Sequence, residues 1–254
     1  MKREPGQTRC RNRRPAWIPA VAAAAGIALT AAAGNWQLNR AHEKERLQAE
    51  YERGAAGPPI LLSTAPVSAR DLRFRRVEAD GEFVAPAMVL LDNRVRDGRA
   101  GYEVVMPVKL KGSAMHVLVD RGWIAAGPDR SVLPEVATPA GPVKITGVAT
   151  VPGRFLELSS ATAAGRVWQN LTIERYREYT GLAVQPVVVR QDNELDDGLL
   201  RARERPDFGI GKHYGYAGQW FIFCGLIAVL YAYFHVKSTR SKKSQAHDPA
   251  PGGD

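Results

Sequence analysis

Cysteine is nearly absent from this chain, with Cys10 and Cys224 the only two. One lies in a basic N-terminal stretch and the other inside an apolar run. The residues between them therefore hold no disulfide framework and no C-x-x-C redox pair. Methionine is also scarce: only Met88, Met106 and Met115 lie between the two apolar runs, so copper delivery would lack its usual soft ligands. Phosphate-cradling signatures are missing, both G-x-x-x-x-G-K-[ST] and G-x-G-x-x-G after a strand. Neither H-E-x-x-H nor G-x-S-x-G occurs. The histidines outside the apolar runs and tails, His42, His116 and His213, stand at no metal-ligand spacing, which leaves a zinc hydrolase without support.

The middle of the chain also has little net charge. The formal charge of +9 resides mostly in the ends, and residues 37–216 carry twenty-five basic against twenty-three acidic side chains. A nearly neutral middle argues against a nucleic-acid surface. The basic ends adjoin two charge-free runs, 16–36 and 217–236, each long enough to cross a bilayer core of roughly 30 Å. Lys and Arg cluster on the outer flank of each. The positive-inside rule then predicts basic cytoplasmic tails at 1–15 and 237–254, with 37–216 on the far side. Trp17, Trp36, Trp220 and Tyr233 fit interfacial belts. For the first run a cleaved signal peptide is the alternative, since "ALTAAAG" offers small-residue cleavage sites.

Beyond the first run, "WQLNRAHEKERLQAEYER" continues as helix on good helix formers, with Trp36, Arg40, Lys44 and Leu47 on roughly one face, until "GAAGPP" (54–59) stops it. Ser68 to Asp71 resembles a short helix cap. Strand signals follow. "RRVEADGEFV" alternates Val77, Ala79, Gly81 and Phe83, and "MVLLDNR", "YEVVMPVKL", "AMHVLVDRGWI", "VKITGVATV" and "VQPVVVRQD" are rich in β-formers. "TIERYREYTG" reads as a helix closing on Gly181. The expected fold is α+β: two transmembrane helices flanking a mostly antiparallel β domain, a sheet or partly closed barrel with one or two helices. A domain tied at both ends to one membrane brings 37–47 and 208–220 together. Within it, "DNELDD" (192–197) reads as a solvated loop, and Tyr102, Asp120, Arg121 and Trp123 as loop pins at strand ends.

Five motifs occur in order: "GNWQLNRAHEKERL" (34–47), "LDNRVRDGRAGYEVVMPV" (91–108), "VLVDRGWI" (117–124), "VWQN" (167–170) and "HYGYAGQWF" (213–221). Together with the two-span layout they resemble the Surfeit locus protein 1 family, the assembly factors of cytochrome c oxidase. The resemblance covers roughly 34–236. It implies a non-enzymatic chaperone of the bacterial inner membrane. Such a protein assists haem a insertion into the haem-bearing oxidase subunit, alongside other assembly factors, by transient haem a binding or by holding the subunit ready to receive it. The family's haem-associated histidine maps to His213. This chain keeps Tyr216, Ala217, Gln219, Trp220 and Phe221, but has Lys212 where many relatives carry asparagine. That change bears on the hydrogen bond that orients the imidazole.

The residue types suit that role. A neutral imidazole binds haem iron. His213, Tyr216 or Ala217, and Trp220 share one helical face, Trp220 and Phe221 offer flat apolar surface, and Arg40 and Lys44 could meet the propionates. Two other readings stay open. In a purely structural envelope protein the aromatic motif anchors the span and the basic residues touch lipid phosphate. A haem-modifying enzyme would need a second axial ligand or an acid–base pair, and none is visible. His42, His116 and His235 read as structural or incidental.

Overall fold

The structure, a computed structural model, describes residues 17–152, 165–201 and 206–245, with side chains described to residue 240. Cys10, the tail at 1–15 and the last residues of the tail at 237–254 lie outside the described residues. The described residues form two compact units: a helical one, reaching Arg46 and resuming at Asp207, and a β-rich one, Leu47–Pro206.

The two long helices are α1 (Trp17–Ala56) and α4 (Ile210–Gln245). At 1.5 Å per residue the 40 residues of α1 measure about 60 Å, roughly twice a bilayer core. Pro19 is tolerated because it lies in the first turn, where its missing N–H has no intrahelical acceptor to lose. Gly57-Pro58-Pro59 prevents continuation, as the sequence predicts. Only 6% of the apolar window of each helix is buried, so neither is the core helix of a soluble fold. Both are candidate membrane spans. Trp17, Trp36 and Tyr233 are largely exposed, as belt residues must be.

In the β-rich unit the elements are β1 (Ile60–Leu61), α2 (Ala69–Leu72), β2 (Arg76–Phe83), β3 (Val89–Arg96), β4 (Arg99–Leu110), β5 (His116–Ala125), β6 (Pro142–Thr150), β7 (Val167–Trp168), α3 (Ile173–Thr180) and β8 (Val184–Gln191). Strand order is β1-β2-β6-β8-β5-β4-β3-β7. β2 also pairs with β4, from Gly81↔Leu110 to Phe83↔Val108, so β2, β6, β8, β5 and β4 close a ring. Gly81 permits that closure, because a Cβ there would stand 2.1 Å from the Lys109 carbonyl oxygen. The result is the expected partly closed barrel. Pairing is antiparallel except for β1–β2, β3–β7 and β5–β8.

Alternation along the strands fills the barrel. Val77, Ala79, Val108, Leu110, Val117, Val119, Ile145, Ala149, Val187 and Val189 form one buried cluster. The opposite face of β4, β5 and β8 (Val105, Leu118, Val188) packs under α3 through Trp168 and Tyr176, both essentially inaccessible. The Tyr176 hydroxyl donates to the Ala87 carbonyl at 2.6 Å, which satisfies the one polar atom of that ring. Helix α3 has the predicted boundaries: Thr172 caps its N-terminus, and Gly181 ends it in a left-handed conformation at φ 70°. Ser68 caps α2 in the same manner.

Candidate functional site

The site is built where α1 and α4 pack in the helical unit. On α1, Gly34, Gln37, Ala41 and Glu45 follow one another at three, four and four residues and share a face. Gly34 and Ala41 are the buried residues of that helix. Opposite them on α4 stand Ala217, 1% exposed, and Phe221. Deeper along the pair, the Cys224 thiol points at the Ile27 carbonyl, 3.8 Å away. Small residues bring the backbones close and leave the polar side chains to meet at the flanks.

Two polar contacts result. His213 Nδ1 lies 2.8 Å from Gln37 Oε1, and the Tyr214 hydroxyl donates to Glu45 Oε1 at 2.8 Å. The expected approach of 37–47 to 208–220 is thus present. The bond to Glu45 holds the Tyr214 phenol above its usual pKa, with partial desolvation adding to it. His42 meets the Tyr214 ring edge-on, at 6.3 Å between centroids.

His213 is half-buried, and among the described residues its Nε2 has no hydrogen-bond partner. Tyr216 is 54% exposed and Trp220 37% exposed, with Trp220 seven residues beyond His213 and so nearly on its flank. Ala217 turns to α1 instead, so Tyr216 and Ala217 face different ways. On α1, Arg40 and Lys44 stand three and seven residues past Gln37, on the flank that meets His213. Arg40 is exposed and already paired with Glu43. Lys44 is half-buried and makes no ion pair among the described residues. Gln37 and Glu45 were not singled out in the sequence. Their signal was the stripe of small and polar residues at helical spacing within "GNWQLNRAHEKE".

The β-rich unit holds a second set of polar groups. At β5 the register slips: Val104 faces Gly122 while Val105 faces Asp120, so Arg121 is the extra residue of a bulge and turns inward. Arg121 Nη2 bonds Asp197 Oδ2 at 2.8 Å and the Ala137 carbonyl at 2.8 Å; Nη1 reaches Thr138 Oγ1 at 3.2 Å. Its guanidinium also lies 4.5 Å over the Phe83 ring. Arg201 Nη2 shares the same Asp197 oxygen at 2.7 Å. Burial pulls the Arg121 pKa down, and Asp197 pulls it back. Asp197 is therefore buried, not part of a solvated loop, because two guanidinium groups compensate its desolvation. The pinning role read for Arg121 and Trp123 holds, but from inside β5 rather than from a strand end. Trp123 Nε1 donates to the Arg94 carbonyl at 3.0 Å.

Asp120 projects on the other side of the bulge, into an open cleft of about 680 Å³ shared with Glu103, Arg94 and Arg190. Enclosure by protein raises its pKa to about 7, and Glu103 adds to the rise. Arg190, the Gly122 N–H and Arg94 oppose it. His116 Nδ1 lies 3.2 Å from the Ala183 carbonyl, a structural contact. No group of three or more His, Cys, Asp or Glu converges on a metal position among the described residues.

A ring-closed β unit flanked in sequence by two long apolar helices, both candidate membrane spans, with His213 and His42 where those helices pack, is the class of architecture this chain presents. The profile of the SURF1 family matches residues 24–225, and the chain belongs to that family. It is similar to an uncharacterised SURF1-like protein of Mycobacterium tuberculosis, 25% identical over 93% of this chain and 90% of the relative. Surfeit locus protein 1 of Xenopus tropicalis is 22% identical over 78% of this chain and 69% of its own. Cytochrome oxidase assembly protein SHY1 of Saccharomyces cerevisiae is 27% identical over 54% and 37%.

Proposed function

We propose that this protein is a non-enzymatic assembly factor of the bacterial inner membrane, one that assists haem a insertion into the haem-bearing subunit of an aa3-type cytochrome c oxidase. It holds haem a transiently at His213, with both termini cytoplasmic and residues 37–216 periplasmic. Family membership and the name of the yeast relative support the assembly role. The observation that carries the haem reading is the half-exposed His213, with one ring nitrogen engaged and the other unpartnered, beside exposed Trp220 and Tyr216.

These residues fit a haem. His213 supplies one nitrogen ligand of the kind that holds haem iron. Trp220 and Tyr216 give the porphyrin a flat apolar wall, and lipid covers the remainder. Lys44, and Arg40 with part of its charge compensated by Glu43, stand on the matching flank of α1 toward the propionates. Haem a, when bound, brings the iron and porphyrin that the oxidase needs. A single protein ligand suits temporary custody and release to the subunit.

The test is a visible spectrum of the protein purified in detergent from cells that make haem a, beside His213→Ala. Haem absorption in the wild type and its loss in the variant are expected. An unchanged spectrum in the variant removes His213 as ligand, and no haem in either supports a scaffold without haem. Deleting the gene should lower assembled aa3-type oxidase; normal levels would refute the assembly role.

A further inference from the structure

Histidine ligands to metals almost always donate their second ring N–H to an acceptor, which fixes the tautomer and the ring plane. Here the neighbouring residue cannot do so: Lys212 is an exposed ammonium with no acceptor. The acceptor comes from the other helix. Gln37 Oε1 lies 2.8 Å from His213 Nδ1, across 176 residues of sequence. Gly34, a turn earlier on α1, is buried against Phe221, and Ala41, a turn later, is fully buried. The close helix approach on both sides of Gln37 sets where its amide can reach.

We propose that Gln37 is the positioning residue of His213: its amide oxygen holds the proton on Nδ1 and thereby presents Nε2, lone pair outward, as the ligand atom. This deepens the haem-custody reading and rests on it for its purpose, but the tautomer itself is a property of the haem-free protein. Neutral histidine in water prefers the opposite tautomer, with the proton on Nε2, which cannot bind a metal through that atom. The acceptor is also a neutral amide and not a carboxylate. It orients the ring without drawing the imidazole toward imidazolate, so the nitrogen remains a moderate donor. That strength suits a ligand that must be given up.

The experiment uses the full chain in detergent micelles, haem-free and labelled with ¹⁵N-histidine, at a pH where imidazole is neutral. His213→Ala assigns the His213 signals. In the wild type, Nδ1 should be protonated and Nε2 bare. Gln37→Leu should return His213 to the ordinary Nε2–H form, and Gln37→Glu, which offers only acceptors at the same reach, should restore Nδ1–H. A protonated Nε2 in the wild type overturns the proposal, as does a tautomer unmoved by Gln37→Leu. Helix content by circular dichroism guards against a misfolded variant, and Gln37→Ala, which also removes the acceptor and should also return His213 to Nε2–H, takes the place of the Leu variant if that one fails to fold. A second arm titrates haemin. Gln37→Leu should weaken binding about tenfold or more. Gln37→Glu should bind more tightly and lower the midpoint potential of the bound haem. The expected tautomer without haemin binding by the wild type would defeat the custody reading while upholding the role of Gln37.

Discussion

Phe221 packs on Gly34 so closely that a Cβ built on the glycine would stand 2.8 Å from two carbons of the ring. Inside a bilayer, lipid removes the hydrophobic drive for helix association, so such close approach is a main source of pairing energy. Gly34→Ala must displace Phe221 and should cost about 1–3 kcal/mol, the usual range for overpacking. In a Phe221→Ala background the same substitution should be nearly neutral. Unfolding of the four proteins in mixed micelles measures the cycle, and equal costs in both backgrounds would contradict the contact.

Asp197 bridges two fully buried guanidinium groups, and the three residues are not equivalent. Asp197→Ala leaves the buried Arg121 without its carboxylate and Arg201 with only the exposed Glu194, 3.2 Å from its Nη1, and should cost about 3–5 kcal/mol. Arg121→Met leaves the Arg201–Asp197 pair intact and fills the space beside Met106 and Phe83, so its cost should be distinctly smaller. Denaturant unfolding followed by tryptophan fluorescence ranks them. The reverse order would mean that Asp197 is not the hub.

Much of this architecture could be read from local pattern. Val77, Ala79 and Gly81 alternate as a buried strand face must, and Gly181 marks the end of α3 in the sequence itself. What pattern could not show depends on partners distant in sequence. The ring closes through three residue pairs between β2 and β4, and β5 pairs in parallel with β8. β1 and β7 are two residues each, too short for any periodicity. The same holds at the site. His213 was visible as an odd residue before an apolar run, but Gln37 gains meaning only once α1 and α4 pack. Asp197 looked solvated because charge runs usually are; its partner Arg121 sits 76 residues away.

Asp120 gives the β-rich unit a pH signature. Its pKa stands at about 7 in the fold against an ordinary 3.8. Between those values the folded state binds more protons than the unfolded one, so stability falls as pH rises through that window. Each unit of displacement is worth about 1.4 kcal/mol. Asp120→Asn removes the ionisation and keeps an acceptor for the Gly122 N–H. The variant should match the wild type near pH 4 and melt at a higher temperature at pH 8. Parallel melting curves across that range would show that Asp120 ionises normally.

Under the haem-custody proposal, Arg40 and Lys44 should contribute unequally. Arg40 is exposed and shares its charge with Glu43, whereas Lys44 is half-buried with no ion pair among the described residues. An exposed, already paired cation adds little to a new contact. Lys44→Ala should therefore weaken haemin binding more than Arg40→Ala does. Glu43→Gln should strengthen binding by releasing Arg40, and Arg40→Ala combined with Glu43→Gln should cancel that gain. Because these charges face water, all three effects should shrink as salt is raised. Haemin titrations at low and high ionic strength measure them. Equal losses from Arg40→Ala and Lys44→Ala at both would contradict the ranking, and no loss from either would place the propionates elsewhere.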